Sequence, residues 1–260
     1  MSRTVLITGA SGSMGREAVR SLADEGWHVI MACRNLEKGE AVMQDVKAVV
    51  HDASIELHPL DLASLASVRS FAAAMHGRRI DVLFNNAGTI SRGYGLTEDG
   101  YERTFQVNCI GPCVLMSLLR PQLEKVVSMI SLTCSLVKID SHYCGDSSEE
   151  FSQLGTYARA KLGLLLGTMD FSCRTGIPFN LADPGIVNSN MISMDRWFDP
   201  LADIFFRPFI STPEKGVSPA LRAIRSDDSS LYYVGKRNKS IPVRFLSSPV
   251  PDSVASIFKP

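Results

Sequence analysis

The sequence predicts an α/β fold in which a doubly wound parallel sheet of about seven strands carries helices on both faces. Its strand candidates, such as residues 5–7, are short and continuously apolar, which is typical of strands buried on both faces. These runs alternate with helical patterns of ten or more residues, as expected for parallel strands joined by crossover helices. The 260 residues are 45% apolar and 21% charged and show no internal repeat or linker, so we expect a single domain over residues 1–260.

The boundaries of the elements follow from these patterns along the chain. The first predicted strand begins at Thr4, and the others cover residues 27–32, 54–58, 80–84, 125–131, 179–182 and 232–234. The predicted helices cover residues 13–25, 36–50, 65–75, 99–119, 155–174 and 213–225, and Ser13 is expected to cap the first of them. Residues 190–210, rich in Met, Phe and Trp, fall outside the pattern, and the tail over residues 249–260 is expected to be held loosely.

Composition and charge exclude several classes of function. Lys plus Arg and Asp plus Glu number 27 each, so no net field attracts nucleic acid or an anionic membrane. The chain shows no signal segment and no apolar stretch long enough to cross a bilayer, so we expect a soluble, cytoplasmic protein. The six cysteines form no C-x-x-C pair and have no spacing with His suited to zinc, so we assign them to packing and expect no metal site.

A glycine-rich turn containing Gly9, Gly12 and Gly15 directly follows the first strand and opens the first helix. Glycines let the backbone approach a pyrophosphate closely, and the free N–H groups at the helix start bind its charge. In this position the turn predicts a dinucleotide site of the Rossmann type. The residues predicted to contact the cofactor here are Gly9, Ser11, Ser13, Met14 and Gly15.

The end of the second strand indicates which dinucleotide is bound. Such sites normally place Asp or Glu here to bind the ribose 2′-hydroxyl, whereas this chain has Cys33 followed by Arg34. A carboxylate would repel a 2′-phosphate, and a guanidinium can pair with it. We therefore predict a preference for NADP(H) over NAD(H), with contacts from Arg34 and Asn35. The alternative is that Arg34 is a solvated residue at the end of a strand.

Tyr157 and Lys161 lie four residues apart in a predicted helix and therefore share one of its faces. A positive charge beside a phenol favours the ionised form, which makes the pair a candidate for proton transfer. The same spacing also arises by chance in many helices, where it means only a solvated Lys beside a half-buried Tyr. The pair gains its significance from the motifs that precede it in the chain.

In their order along the chain, these motifs resemble the short-chain dehydrogenase/reductase family. Asp61 follows the third strand, residues 85–88 follow the fourth, Asn108 lies in the long helix, Ser131 ends the fifth strand, and residues 184–189 follow the sixth. More narrowly, residues 32–40 and 157–162 are similar to the retinol dehydrogenase-like and WW-domain oxidoreductase-like members. The resemblance implies further cofactor contacts at Asp61, Leu62, Asn86, Ala87, Gly88, Tyr157, Lys161, Pro184, Gly185, Val187 and Ser189.

The resemblance also implies hydride transfer between a nicotinamide and a carbonyl or alcohol. The implied catalytic residues are Asn108, Ser131, Tyr157 and Lys161. Tyr157 would be the acid in reduction and the base in oxidation, with its pKa lowered by Lys161 and the oxidised nicotinamide. Ser131 would bind the substrate oxygen, or Thr133 or Ser135 if the strand is shifted, and Asn108 would position a water for proton exchange.

Residues 190–210 lie where family members build a substrate lid. Apolar side chains would give this lid an adaptable wall, with Met191, Met194 and Trp197 as candidate substrate contacts. The implied substrate is then apolar, such as a retinoid, a steroid, or a fatty or aromatic aldehyde or ketone. The alternative is that the segment packs on the core or forms an oligomer contact.

Two other functions stay open, as does the oligomeric state. The spacing of Gly12 favours a nucleotide-sugar epimerase or dehydratase, although residues 85–88 and the chain length argue against it. A non-catalytic NADP-binding regulatory protein is the third possibility, against which the complete catalytic set argues. Family members commonly pair through their long helices, which implies a homodimer or homotetramer. Pro112 and Pro121 are expected to interrupt the first of these helices, which makes a monomer plausible.

Overall fold

The computed structural model describes residues 2–137, 148–149, 151–185 and 212–258. Eight strands in these residues form one sheet: β1 is Thr4–Thr8, β2 His28–Cys33, β3 Ile55–Pro59, β4 Val82–Asn85, β5 Val126–Met129, β6 Phe179–Asp183, β7 Leu231–Val234 and β8 Arg237–Ser240. The strand order is β3-β2-β1-β4-β5-β6-β7-β8, and only the pairing of β7 with β8 is antiparallel. The doubly wound parallel sheet is therefore confirmed, with one strand more than predicted.

The additional strand, β8, carries no apolar signal in the sequence. Its residues are Arg237, Asn238, Lys239 and Ser240, and all four are exposed. An edge strand that is solvated and strongly polar has neither the continuous nor the alternating apolar pattern by which a strand is predicted. β8 pairs with β7 through backbone hydrogen bonds, which cannot be predicted from the pattern of its side chains.

Helices cover both faces of the sheet. Their bounds are Ser13–Asp24 (α1), Leu36–Val49 (α2), Leu65–Ala74 (α3), Gln153–Thr175 (α5), Pro213–Arg225 (α6), Val243–Leu246 (α7) and Asp252–Ala255 (α8), while α4 is continuous through Arg103–Phe105, Gln106–Ile110 and Gly111–Leu119. Side chains of β1 alternate between two cores: Val5 and Ile7 pack with α1, α2 and α6, and Leu6 packs with α3, α4 and α5. Burial on both faces explains the continuous apolar runs.

The long helix α4 differs from its prediction in a way that matters for the site. It begins at Arg103, and Gln106–Ile110 forms a π-type turn in which the Gly111 N–H donates to the Gln106 carbonyl. Pro112, which has no N–H to donate, falls directly after this turn and does not interrupt the helix. Pro121 lies beyond the end of the helix, in the turn Arg120–Gln122.

Part of the C-terminal segment packs against α5. Val254 of α8 is fully buried, and its Cγ1 lies 2.9 Å from where a Cβ on Gly167 of α5 would stand. The ring of Phe258 packs at 5.5 Å from that of Phe171. Because these contacts are made by single apolar residues spaced along a short segment, no extended pattern in the sequence marks them. The expected lid over residues 190–210 lies outside the described residues.

Candidate active site

The glycine-rich turn joins β1 to α1 in a conformation that only glycine fits at two positions. Gly9 has φ +63°, and a Cβ there would lie 2.9 Å from Ala87 Cα. A Cβ on Gly15 would lie 2.8 Å from Ala10 Cα and closer still to the Gly9 carbonyl oxygen. Side chains at these positions would fill the cradle that the turn forms. Gly12 is less constrained, since its Cβ would meet only the Gly9 oxygen, at 3.3 Å.

The expectation that Ser13 caps α1 is wrong. Gly12 occupies the cap position and Ser13 is the first residue of the helix, so the cap residue offers no side-chain acceptor to the N–H groups of the first turn of α1. Glycine has no side-chain oxygen with which to satisfy these N–H groups. The start of α1 therefore presents backbone donors at the partial positive end of the helix, an arrangement suited to a bound anion.

The end of β2 lies directly beneath this turn. Cys33 is 1% exposed, and burial raises the pKa of its thiol, while hydrogen bonds with Ser11 and the Ala10 backbone oppose that rise. The thiol therefore belongs to the packing of the turn. Arg34 is exposed, and the Asn35 side chain caps α2 by accepting from the Lys38 N–H at 2.8 Å. No carboxylate occupies the position of Cys33.

Residues after β3 and β4 complete this side of the site. The Asp61 carboxylate accepts from the Ala63 N–H at 2.9 Å, and Leu62 is buried. The Asn86 amide donates to the Thr8 and Gly9 carbonyls at 2.9 and 3.3 Å, which ties the end of β4 to the end of β1. Its Oδ1 atom is buried and has no hydrogen-bond partner among the described residues. An unpaired acceptor in such a position is costly unless a ligand supplies the donor.

Asn108 lies in the π-type turn of α4 and is fully buried. Its amide donates to the carbonyls of Thr104 and Thr89, both at 2.7 Å, and its Oδ1 accepts from the Thr89 N–H at 3.3 Å. A Cβ on Gly88 would lie 2.8 Å from this oxygen and 3.5 Å from the Lys161 Nζ. The structure therefore brings Gly88, Asn108 and Lys161 together.

Lys161 and Tyr157 project from the first turns of α5 toward the end of β5. The Lys161 ammonium is buried and donates to the Met129 carbonyl at 2.9 Å, and it lies 5.9 Å from the centroid of the Tyr157 ring. The Ser131 hydroxyl forms a hydrogen bond with the Tyr157 phenol. It also accepts from the Thr133 hydroxyl at 3.0 Å. Of the candidate hydroxyls of Ser131, Thr133 and Ser135, it is therefore that of Ser131 which contacts the phenol.

The pKa of Tyr157 is raised, contrary to the expectation that Lys161 lowers it. Burial is the largest cause, the electrostatic influence of Cys134 and Asp183 adds to it, and the Ser131 hydrogen bond opposes it. Burial also lowers the pKa of Lys161, to about 8. The spacing of Tyr157 and Lys161 predicted a positive charge near the phenol, but it could not show that burial is the largest influence on the pKa of Tyr157.

Two residues of the site escaped sequence reasoning. Cys134 is buried after Ser131, and burial raises the pKa of its thiol to about 12. Asp183 ends β6 and accepts from the Gly185 N–H at 2.8 Å, while Gly185 has φ +71°. The only signal for Asp183 was a carboxylate at the end of an apolar strand. Pro184 adjoins these residues, and Val187, Ser189, Met191, Met194 and Trp197 lie outside the described residues.

Within the described residues, no helix is long and apolar enough to cross a membrane, and no group of His, Cys, Asp or Glu side chains is arranged to hold a metal ion.

The chain is similar to several known proteins. A family model described as short chain dehydrogenase matches residues 3–197. Retinol dehydrogenase 13 of Mus musculus is 31% identical over 257 residues, covering 92% of this chain and 77% of the relative. The WW domain-containing oxidoreductase of Gallus gallus is 33% identical over 233 residues, covering 83% of this chain and 56% of that protein. An uncharacterized protein from Mycobacterium paratuberculosis superposes with a TM-score of 0.73 at 29% identity, covering 98% of this chain and 89% of the other.

Proposed function

The chain belongs to the short-chain dehydrogenase family of oxidoreductases, and from this premise we propose that it interconverts an apolar carbonyl compound and its alcohol with NADP(H). The observation that carries the proposal is the convergence of Tyr157, Ser131 and Lys161 at the ends of β5 and β6. A proton donor, a hydroxyl and a buried cation at one point are the groups that carbonyl reduction needs.

The residues present fit the nicotinamide dinucleotide that the family implies. The cradle at Gly9 and Gly15 is closed to side chains, and the cap residue of α1 leaves the first N–H groups of that helix without a side-chain acceptor. Within the described part of the chain, the buried Asn86 Oδ1 has no hydrogen-bond partner. These groups would hold the cofactor, together with Lys161. When bound, the cofactor supplies or accepts the hydride, and the protein supplies the proton and the binding geometry.

In the proposed reaction, the Tyr157 phenol donates its proton to the substrate oxygen during reduction. The Ser131 hydroxyl donates a hydrogen bond to the same oxygen, an interaction that strengthens as negative charge develops there. Lys161 places a positive charge one helical turn from the phenol, and its contact with the Met129 carbonyl fixes the ammonium. The Asn108 amide donates to the Thr89 and Thr104 carbonyls and thereby fixes the backbone next to Lys161.

The choice of NADP(H) rests on Arg34. Its side chain is exposed beside the buried thiol of Cys33, and no carboxylate at the end of β2 competes for the ribose. A guanidinium there can bind a 2′-phosphate through charge-assisted hydrogen bonds. The adjoining carboxamide of Asn35 is engaged in capping α2, so we assign the selectivity to Arg34.

We expect Arg34→Ala to weaken NADPH binding about tenfold to a hundredfold and to leave NADH binding nearly unchanged, because hydrogen bonds to a charged group contribute about 1.5–3 kcal/mol. Titration of each dinucleotide by fluorescence measures this. Lys47→Ala removes the same charge from the exposed face of α2 and is the control. Equal losses for NADPH and NADH, or tighter binding of NADH by the unaltered protein, would contradict the assignment.

The substrate class is proposed from composition and relationship. Residues 190–210 supply Met191, Met194 and Trp197 as candidate contacts, and they contain no basic cluster suited to an acidic substrate. The name of the mouse relative refers to retinol, an apolar alcohol. We therefore propose a retinoid, a steroid, or a fatty or aromatic aldehyde or ketone as substrate.

A carbonyl panel tests the proposed function as a whole. NADPH oxidation should be detected with apolar aldehydes or ketones and should be lost in Tyr157→Phe. Cofactor binding without oxidation of any panel member would instead support the regulatory alternative. The epimerase alternative rested on the spacing of Gly12, and that position does not require glycine in the way that Gly9 and Gly15 do.

A further inference from the structure

A buried carboxylate stands at the edge of the sheet where the candidate active site lies. Asp183 is 0% exposed and ends β6, whose register pairs Ala182 with Met129 of β5. Side chains alternate along a strand, so Asp183 points to the same face as Leu181, which packs in the core with α4 and α5. This is the face that carries Tyr157, so the strand register alone brings the carboxylate to the catalytic side of the sheet.

Two neutral donors fix this carboxylate in place. The Tyr232 hydroxyl of β7 donates to Oδ2 at 2.6 Å, and the Gly185 N–H donates to Oδ1 at 2.8 Å. Burial raises the pKa of Asp183, whereas these two hydrogen bonds and the charge of Lys239 oppose the rise. The Lys239 ammonium lies 5.0 Å from the centroid of the Tyr232 ring. Neutral donors orient the carboxylate without cancelling its charge, which therefore acts on its surroundings.

The groups that act on the Tyr157 phenol come from every described element around it. Burial is the largest influence and raises its pKa; the Cys134 thiol from the turn after β5 and the Asp183 carboxylate from β6 raise it further. The Ser131 hydrogen bond lowers the pKa of Tyr157. The Lys161 ammonium lies on the same helix face, 5.9 Å from the centroid of the Tyr157 ring. A fixed negative charge disfavours the phenolate and favours the neutral phenol.

We propose that Asp183 is a positioning residue of this site, whose buried carboxylate keeps the Tyr157 phenol protonated and thus ready to donate a proton. The inference rests on the proposed function and deepens it. Tyr232 and Gly185 set the place of the charge, and the charge acts through Tyr157 without touching the substrate. The consequence is that carbonyl reduction persists to higher pH than it would without this carboxylate.

Asp183→Asn separates the charge from the hydrogen bonds. The amide keeps an oxygen that accepts from the Gly185 N–H, and its new N–H can donate to the Tyr232 oxygen. We expect Tyr157 to ionise at lower pH in this variant, and the high-pH loss of reductive kcat/KM to move to lower pH with it. Tyr232→Phe is the matched control, since it removes the Tyr232 hydrogen bond while Asp183 retains its charge at the pH where Tyr157 titrates.

The titration of Tyr157 is measured on the cofactor-free protein by fluorine NMR after fluorotyrosine incorporation, which lowers the pKa of the phenols into an accessible range. Tyr157→Phe identifies the resonance. The unaltered protein should also show a second, low-pH inflection of this resonance where Asp183 takes up a proton, and Asp183→Asn should lack it. This second measurement does not depend on the stability of any variant at high pH.

An unchanged Tyr157 titration in Asp183→Asn would overturn the inference, and so would an equal shift in Tyr232→Phe, since that would show a structural effect and not an effect of charge. The NMR readout needs neither cofactor nor substrate. A shift in the titration without NADPH oxidation across the carbonyl panel would therefore support the action of Asp183 on Tyr157 and count against the proposed function.

Discussion

Tyr157→Phe is expected to reduce turnover by about 10²–10⁴-fold, the range that general acid catalysis contributes, while leaving NADPH binding intact. The phenol is the proton donor of the proposed reaction, and phenylalanine keeps its ring. Ser131 and Lys161 stay in place in the variant, because Lys161 is held by the Met129 carbonyl and Ser131 by Thr133. Steady-state kinetics with a panel carbonyl and fluorescence titration of NADPH measure the two effects separately.

The chain offers a matched control for this change. The Tyr233 hydroxyl is buried on the opposite face of the sheet and has no hydrogen-bond partner in the residues that the structure describes. Tyr233→Phe therefore removes the same atom from the same residue type without breaking an interaction, and both turnover and stability should be retained. Substantial residual activity in Tyr157→Phe, or an equal loss in Tyr233→Phe, would refute the assignment of Tyr157 as the proton donor.

Much of the fold was predictable because the sheet is buried on both faces. Continuous apolar runs such as residues 5–7 mark the central strands, and in a parallel sheet their carboxyl ends meet at one edge. That geometric rule places Thr8, Asn86, Ser131 and Asp183 near one another, although they are far apart in sequence. The order of motifs along the chain thus carried information about the site as well as about the fold.

What escaped prediction has a common physical basis: it depends on backbone hydrogen bonding or on desolvation. The polar strand β8 pairs through its backbone, and the π-type turn that carries Asn108 differs from an α-helix only in which carbonyl Gly111 contacts. The raised pKa of Tyr157 depends on burial and on the electrostatic influence of Cys134 and Asp183, which are distant from it in sequence. The contact of Tyr232 with Asp183 joins two strands across a sheet, and no local pattern marks it.

A comparison of Gly15→Ala with Gly12→Ala tests the phosphate-binding turn. A Cβ on Gly15 would lie 2.8 Å from Ala10 Cα and 3.0 Å from the Ala10 carbonyl carbon. These are backbone atoms that can move only if α1 shifts away from β1. We expect a loss of about 1–3 kcal/mol in the free energy of unfolding, as for overpacked cores, and about tenfold weaker NADPH binding as the N–H groups of α1 are displaced.

Gly12→Ala provides the control for the same turn, because its added Cβ would meet only the Gly9 oxygen at 3.3 Å and its φ of −75° suits any residue. We expect this variant to lose at most about 1 kcal/mol of stability, since alanine replaces glycine at a helix cap, and to bind NADPH nearly as tightly as the unaltered protein. Denaturant unfolding and fluorescence titration measure both variants. A larger loss of stability and NADPH affinity in Gly12→Ala than in Gly15→Ala would contradict this geometry. It would show that the cofactor requires glycine at position 12, the position whose spacing resembles that of epimerase-like members. A larger loss in Gly15→Ala than in Gly12→Ala is the expected result. It would show that the cofactor lies close to the backbone where α1 packs against the end of β1.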